Sequence, residues 1–131
     1  MDSTNSKRLD KFNILNWNIQ GIRAKYQELC SILNEKQVSV SCLQETILGD
    51  TSWQPSQKYK MEKSPHIGGE QNRGVAIILH SALQYSRIRL NTTLEAVAVT
   101  VYSEKQYTVC SLYLSPNFNV NKRYYSIRLA V

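Results

Sequence analysis

Between Phe12 and Leu43 the spacing of apolar positions changes twice. Phe12 to Trp17 is a short β-type run that stops at Asn18 and the turn around Gly21. Beyond the turn, Ile22, Tyr26, Leu29, Cys30 and Leu33 fall on one face of an amphipathic helix, which Asn34 to Gln37 would end. Val38 to Leu43 then reads as an apolar strand stopped by Gln44-Glu45-Thr46. Strand, helix and strand in such close succession predict a βαβ unit with parallel strands and a right-handed crossover.

Residues 49–72 carry two prolines and three glycines and read as one long loop. Arg73 to Leu79 is a near-continuous apolar strand that turns at His80-Ser81. Leu94 to Tyr102 and Tyr107 to Leu114 are two further strands, joined as a hairpin by the polar residues Ser103 to Gln106. No element is read between Ala82 and Thr93. Ser115-Pro116-Asn117 stops the last strand, and residues 118–131 show no clean period. The reading is therefore an α/β domain over residues 12–117 with a mixed sheet and one early helix. A flexible arm, 1–11, precedes it and a divergent tail, 118–131, follows.

Composition narrows the class. Apolar residues make up 42% and charged residues 20% of the 131, the balance of a soluble globular protein and not of a disordered one. No apolar run approaches the roughly 20 residues of a membrane span, and the first residues lack the apolar stretch of a signal peptide. An intracellular protein without membrane partners is expected. Cys30, Cys42 and Cys110 are an odd number at spacings that match no zinc pattern, and each lies in an apolar stretch. They read as buried, reduced thiols. The formal net charge of +6 favours anionic partners such as nucleic acid, although the basic residues are scattered along the chain.

Four polar side chains stand at predicted C-terminal strand ends: Asn18, Glu45, Tyr113 and Asn117. Parallel strands bring their C-terminal ends to one edge, where open α/β sheets bind ligands, so Asn18 and Glu45 should be neighbours in space. A carboxylate with amide and phenol neighbours is a hard-oxygen environment suited to Mg²⁺ and not to zinc. The same pattern is equally that of a turn-capping Asn18 and a solvated Glu45. His66 in the loop and His80 at a strand end read as structural or solvent-facing.

Taken in order, "LNWNIQGIRAK", "CLQET", "RGVAIIL", "LEAVAVTV" and "YTVCSLYLSPN" resemble the N-terminal half of an endonuclease/exonuclease/phosphatase (DNase I-like) domain. The branch they resemble most is the endonuclease of jockey-like non-LTR retrotransposons. The resemblance covers about residues 12 to 117. It implies a DNase I-like α/β sandwich and Mg²⁺-dependent phosphodiester hydrolysis on DNA, with Mn²⁺ as a substitute ion and a nuclear setting. It also implies roles. Glu45 corresponds to the metal-ligating glutamate, Asn18 to the asparagine at the metal and phosphate, and Tyr113 to the tyrosine at the scissile phosphate. Asn117 and Arg23 correspond to residues near the nucleic acid, and Gln44 to a supporting group.

The resemblance also marks what to look for downstream: an Asp-x-Asn motif and a Ser-Asp-His motif. The aspartates of this sequence are Asp2, Asp10 and Asp50, so neither motif is present. The isolated chain is therefore expected to be inactive, its missing groups coming from a C-terminal half or from a polypeptide that also carries a reverse transcriptase. Two alternatives share the pattern, a non-catalytic nucleic-acid-binding remnant and a phosphoesterase acting on a lipid phosphate. Because the family's two sheets come one from each half, the chain is expected to form one sheet and its helix, with the sheet's inner face uncovered.

Overall fold

The computed structural model describes residues 12–48, 52–64, 74–114 and 128–130. The elements are β1 (Ile14–Asn18), α1 (Ile22–Glu35), β2 (Val40–Gln44), β3 (Tyr59–Lys63), β4 (Val75–His80), β5 (Gln84–Asn91), β6 (Glu95–Tyr102), β7 (Gln106–Tyr113) and β8 (Arg128–Ala130). The βαβ unit is as expected: β1 and β2 pair in parallel, from Ile14 opposite Val40 to Asn18 opposite Gln44. No side chain caps the start of α1. Its first N–H groups are met by backbone instead, Gly21 N–H by Glu45 O at 2.8 Å and Ile22 N–H by Thr46 O at 3.1 Å. The helix buries Ile22, Leu29 and Leu33, three positions of the predicted apolar face.

The expectation of a single sheet is wrong. Among the described residues the chain builds two four-stranded sheets, ordered β1-β2-β4-β3 and β7-β6-β5-β8. Apart from the β1–β2 pair, all pairings are antiparallel. The sheets pack face to face through Val40, Cys42, Val75, Ile77 and Leu79 from the first and Val97, Val99, Val101 and Val109 from the second. On its other face the first sheet packs Leu43 and Ile78 against Ile22, Leu29 and Leu33 of α1. The result is three layers, helix, sheet and sheet, with the inner face of the first sheet covered from within the chain.

Three strands that the sequence reading missed complete these sheets. β3 lies inside the expected loop of residues 49–72, β5 lies in the unassigned stretch after His80, and β8 lies in the expected tail of residues 118–131, where it pairs with β5. β3 and β5 carry charge where an apolar pattern would be sought. Arg87 of β5 meets Glu62 of β3 at 3.1 Å, and the Tyr85 hydroxyl donates to Glu62 at 2.6 Å. Burial and the Glu62 carboxylate push the Tyr85 phenol up to about 12. An ion pair thus joins the sheets on this side, beside the apolar contacts at their centre.

The sheets are offset at the opposite side. Phe12, just before β1, stacks on Tyr107 of β7 with ring centroids 4.0 Å apart. Farther along, β7 lies beneath β2, and the inward side of β1 stays open. Ile14 is 52% exposed, and Asn16 and Asn18 are exposed as well. Of the three cysteines, Cys42 is buried, Cys30 is half-buried and Cys110 is exposed. Cys110 departs from expectation because it alternates out of phase with the inward-facing Val109 and Ser111.

Replacing Ile77 with alanine removes a side chain that both sheets enclose and should cost about 2–5 kcal/mol. Ile14→Ala, on the open side, should cost less than about 0.5 kcal/mol. Urea unfolding of the two variants checks that contrast.

Candidate functional site

β1 and β2 end side by side, and the pairing register determines what their ends bring together. Asn18 lies opposite Gln44, so the residue after β2, Glu45, falls next to Asn18. The Asn18 amide donates from Nδ2 to Glu45 Oε2 at 2.8 Å. Among the described residues it is the only hydrogen-bond partner of that carboxylate. Glu45 is half-buried and Asn18 exposed, leaving the pair accessible to a ligand.

Gln44 connects this pair to the second sheet. Its Nε2 donates to Asn16 Oδ1 at 2.9 Å and to Ser111 Oγ at 3.1 Å, and the Ser111 hydroxyl donates to Leu43 O at 3.1 Å. Gln44 thus supports the strand end that carries Glu45, in line with the supporting role that the resemblance implies. Tyr113 follows Ser111 by one pleat repeat, about 7 Å, on the same inward face of β7. Since Cys110 lies by Cys42 and Ser111 by Leu43, β7 runs in the direction of β2. Tyr113 thus ends β7 toward the same end of the sandwich as Glu45. It is half-buried and packs against the inter-sheet core. Arg23 is exposed in the first turn of α1, one residue past the Ile22 N–H that binds Thr46 O. Asn117 lies outside the described residues, as does His66. His80 is structural: its Nδ1 accepts from Ala82 N–H at 3.1 Å, and its ring meets Tyr59 edge-on.

Sequence reasoning missed two participants. Glu95, at the start of β6 and directly opposite Tyr113, accepts the Gly74 N–H at Oε1, 2.9 Å away. Gly74 O in turn accepts the Thr46 N–H at 3.1 Å. Glu95 therefore holds the loop that carries Glu45 through two hydrogen bonds in series, the first to its side chain and the second between backbones. Gly74 is required there on two counts. Its φ is +84°, and an added Cβ would lie 2.6 Å from Thr46 Oγ1. Burial raises the Glu95 pKa, with the Gly74 N–H acting in the opposite direction. The only sequence signal for Glu95 is a carboxylate opening an otherwise apolar strand.

The oxygen-rich set fits a hard divalent cation only in part. Glu45 offers one carboxylate, and among the described residues no group of three or more His, Cys, Asp or Glu side chains is placed to hold a metal ion. Mg²⁺ can take one or two carboxylates with water and substrate phosphate completing its shell, so Glu45 with Asn18 is a compatible fragment. A cleft of about 660 Å³ at the opposite end of the first sheet, among Asn13, Val38, Tyr59 and His80, includes none of these residues.

The two sheets and flanking helix form part of a DNase I-like α/β fold. The endonuclease domain of TRAS1, a telomere-specific non-LTR retrotransposon, matches 84% of the chain with a TM-score of 0.58 and 16% identity. The 3′ phosphatase NExo from Neisseria, solved with a product DNA hairpin, matches 79% with a TM-score of 0.55 and 17% identity. The human Nocturnin catalytic domain, solved with a sulfate anion, matches 83% with a TM-score of 0.56 and 19% identity. The match covers 49%, 41% and 51% of those chains respectively, so this chain spans about half the length of the structures it resembles. At such identities the likeness is one of fold. No protein-family profile and no curated sequence matches the chain.

Two changes test the support of this site. Gly74→Ala should cost about 1–3 kcal/mol in urea unfolding, because it strains the backbone and crowds Thr46. Glu95→Gln keeps an acceptor for the Gly74 N–H and removes the charge. A carboxyl with a raised folded-state pKa contributes stability that is fully present below its unfolded value and lost as pH rises through the folded value. Thermal melts should therefore show wild type losing stability as pH rises from about 4.5, the ordinary value, through that raised value. Glu95→Gln should show a flatter profile over the same span.

Proposed function

We propose that this chain supplies the metal- and phosphate-binding half of a site that hydrolyses phosphodiester bonds in DNA. The observation that carries the reading is the Asn18–Glu45 pair, 2.8 Å apart at the ends of two parallel strands, with the end of β7 and its Tyr113 directed the same way. The +6 net charge suits a polyanionic substrate. Fold likeness to enzymes that include a retrotransposon endonuclease and a DNA-bound phosphatase supports the same class.

On this reading Glu45, with Asn18 beside it, would hold Mg²⁺, or Mn²⁺ in its place. The ion, when bound, stabilises negative charge developing on the phosphate and leaving oxygens. The chain's own residues bind and orient. The Asn18 amide fixes the Glu45 carboxylate, and the Tyr113 hydroxyl offers a hydrogen bond to a non-bridging phosphate oxygen. Arg23, exposed in the first turn of α1, contacts the flanking backbone, and the same role is proposed for Asn117 from the sequence resemblance alone. Positioning of the attacking water belongs to groups this sequence does not carry, since no aspartate follows Asp50. A C-terminal half, or a polypeptide that includes a reverse transcriptase, would supply them in a nuclear setting.

Binding and turnover should accordingly separate. Mn²⁺ titration followed by electron paramagnetic resonance should show weak binding that Glu45→Gln reduces at least about tenfold. Supercoiled plasmid with Mg²⁺ should stay un-nicked by the chain alone, at the level of an EDTA control. Metal-dependent nicking abolished by Glu45→Ala would mean that the chain completes the site by itself. DNA binding with no metal uptake would favour a purely nucleic-acid-binding role.

A further inference from the structure

Ile47 combines two features that folding does not reward. It adopts φ +55°, a left-handed conformation that is an outlier for a β-branched side chain, and it is 52% exposed. Its neighbours explain how the conformation is tolerated. Thr46 is 3% exposed and bonded at both backbone groups, to Gly74 O and Ile22 N–H, and Leu48 is 4% exposed within the helix-side core. Position 47 thus lies between two anchored residues and faces outward. They do not explain the isoleucine, because glycine or asparagine would take the same conformation with less strain. A polar side chain would also suit the exposure.

The location supplies a reason. Ile47 is two residues from Glu45, so their Cα atoms lie within about 7 Å, near the length of one nucleotide. Leu114, also exposed, directly follows Tyr113. Two of the four large exposed apolar side chains among the described residues thus adjoin the strand ends that carry the candidate site. We infer that Ile47 is a substrate-contacting residue that packs on the apolar sugar and base edge of the nucleotide next to the bound phosphate. It would favour substrates in which that base is unstacked, as apolar side chains do when they enter a base step. The inference rests on the nucleic-acid reading above.

The test pairs stability with binding in the full chain. Ile47→Asn keeps the backbone conformation and removes the apolar surface. Ile47→Val keeps the strain and most of that surface. Fluorescence anisotropy is followed with two labelled 20-mer duplexes, one fully paired and one with a single unpaired nucleotide. Ile47→Asn should raise the melting temperature by about 2–6 °C. It should weaken binding to the duplex with the unpaired nucleotide by about 3–10-fold, with a smaller loss on the paired one. Ile47→Val should bind within about twofold of wild type. Unchanged binding by Ile47→Asn, where wild type binds, would overturn the role of Ile47 and leave the DNA reading intact. A lowered melting temperature would make Ile47 a packing residue and overturn the inference in the same way. Failure of wild type to bind either duplex at low salt would overturn both.

Discussion

A buried amide determines where the two sheets sit on one another. Gln44 is 8% exposed and donates to Asn16 and Ser111, and Ser111, 1% exposed, donates back to Leu43 O. Each such bond contributes about 0.5–1.5 kcal/mol net, whereas each fully enclosed aliphatic side chain between the sheets contributes about 1.5–3 kcal/mol. The aliphatic contacts therefore decide that the sheets adhere. They are non-directional and would tolerate some sliding. The amide and hydroxyl tolerate none without leaving a buried donor unpaired. Because Glu45 follows Gln44 and Tyr113 lies one pleat beyond Ser111, the same bonds set the relation between the two strand ends on which the candidate site depends.

The parts of this architecture that were legible in the sequence are those where one physical signal dominates. The βαβ unit shows an uninterrupted change of period, and β4, β6 and β7 are long apolar or alternating runs. From β1 and β2 running parallel it followed that Asn18 and Glu45 would meet, and they do. The signal failed where the sheets are joined by polar groups. Tyr-Lys-Met-Glu-Lys at β3 and Gln-Tyr-Ser-Arg-Ile-Arg-Leu-Asn at β5 carry their alternation in tyrosine, glutamate and arginine, which pair across the gap. Without those strands the second sheet could not be foreseen, and the first seemed uncovered. Glu95 was illegible for a related reason, since its partner is a backbone N–H some twenty residues earlier.

The two sides of the sandwich are built differently. β3, at one edge of the first sheet, carries Lys60, Glu62 and Lys63 among its five residues. Charge of this kind discourages further strand pairing. β1 and β7, on the opposite side, carry no charged residue. Among the described residues each pairs with one neighbour only. The offset leaves the inward side of β1 open above the free edge of β7, with Ile14, Asn16 and Asn18 along it. Helix α1 covers the opposite face of this sheet, so the open approach to the Asn18–Glu45 pair lies on the side whose edge strands carry no charge.

Local backbone conformation reinforces that asymmetry. Among the described residues the non-glycine positions with positive φ are Gln20, Gln37, Glu45 and Ile47. Gln37 belongs to the turn after α1, an ordinary place for such a residue. The other three gather where β1 and β2 end. Each costs on the order of 1–3 kcal/mol, and such conformations persist only where the surroundings over-determine them. Here they do: Gly21, Ile22, Glu45, Thr46 and Gly74 exchange three backbone hydrogen bonds across the loops, and Glu95 anchors Gly74 from the second sheet. The tertiary structure thus holds a conformation that its local sequence disfavours, at the place where a carboxylate is presented to solvent. Such conflict between local preference and global fold is expected where a site, and not stability, dictates the geometry.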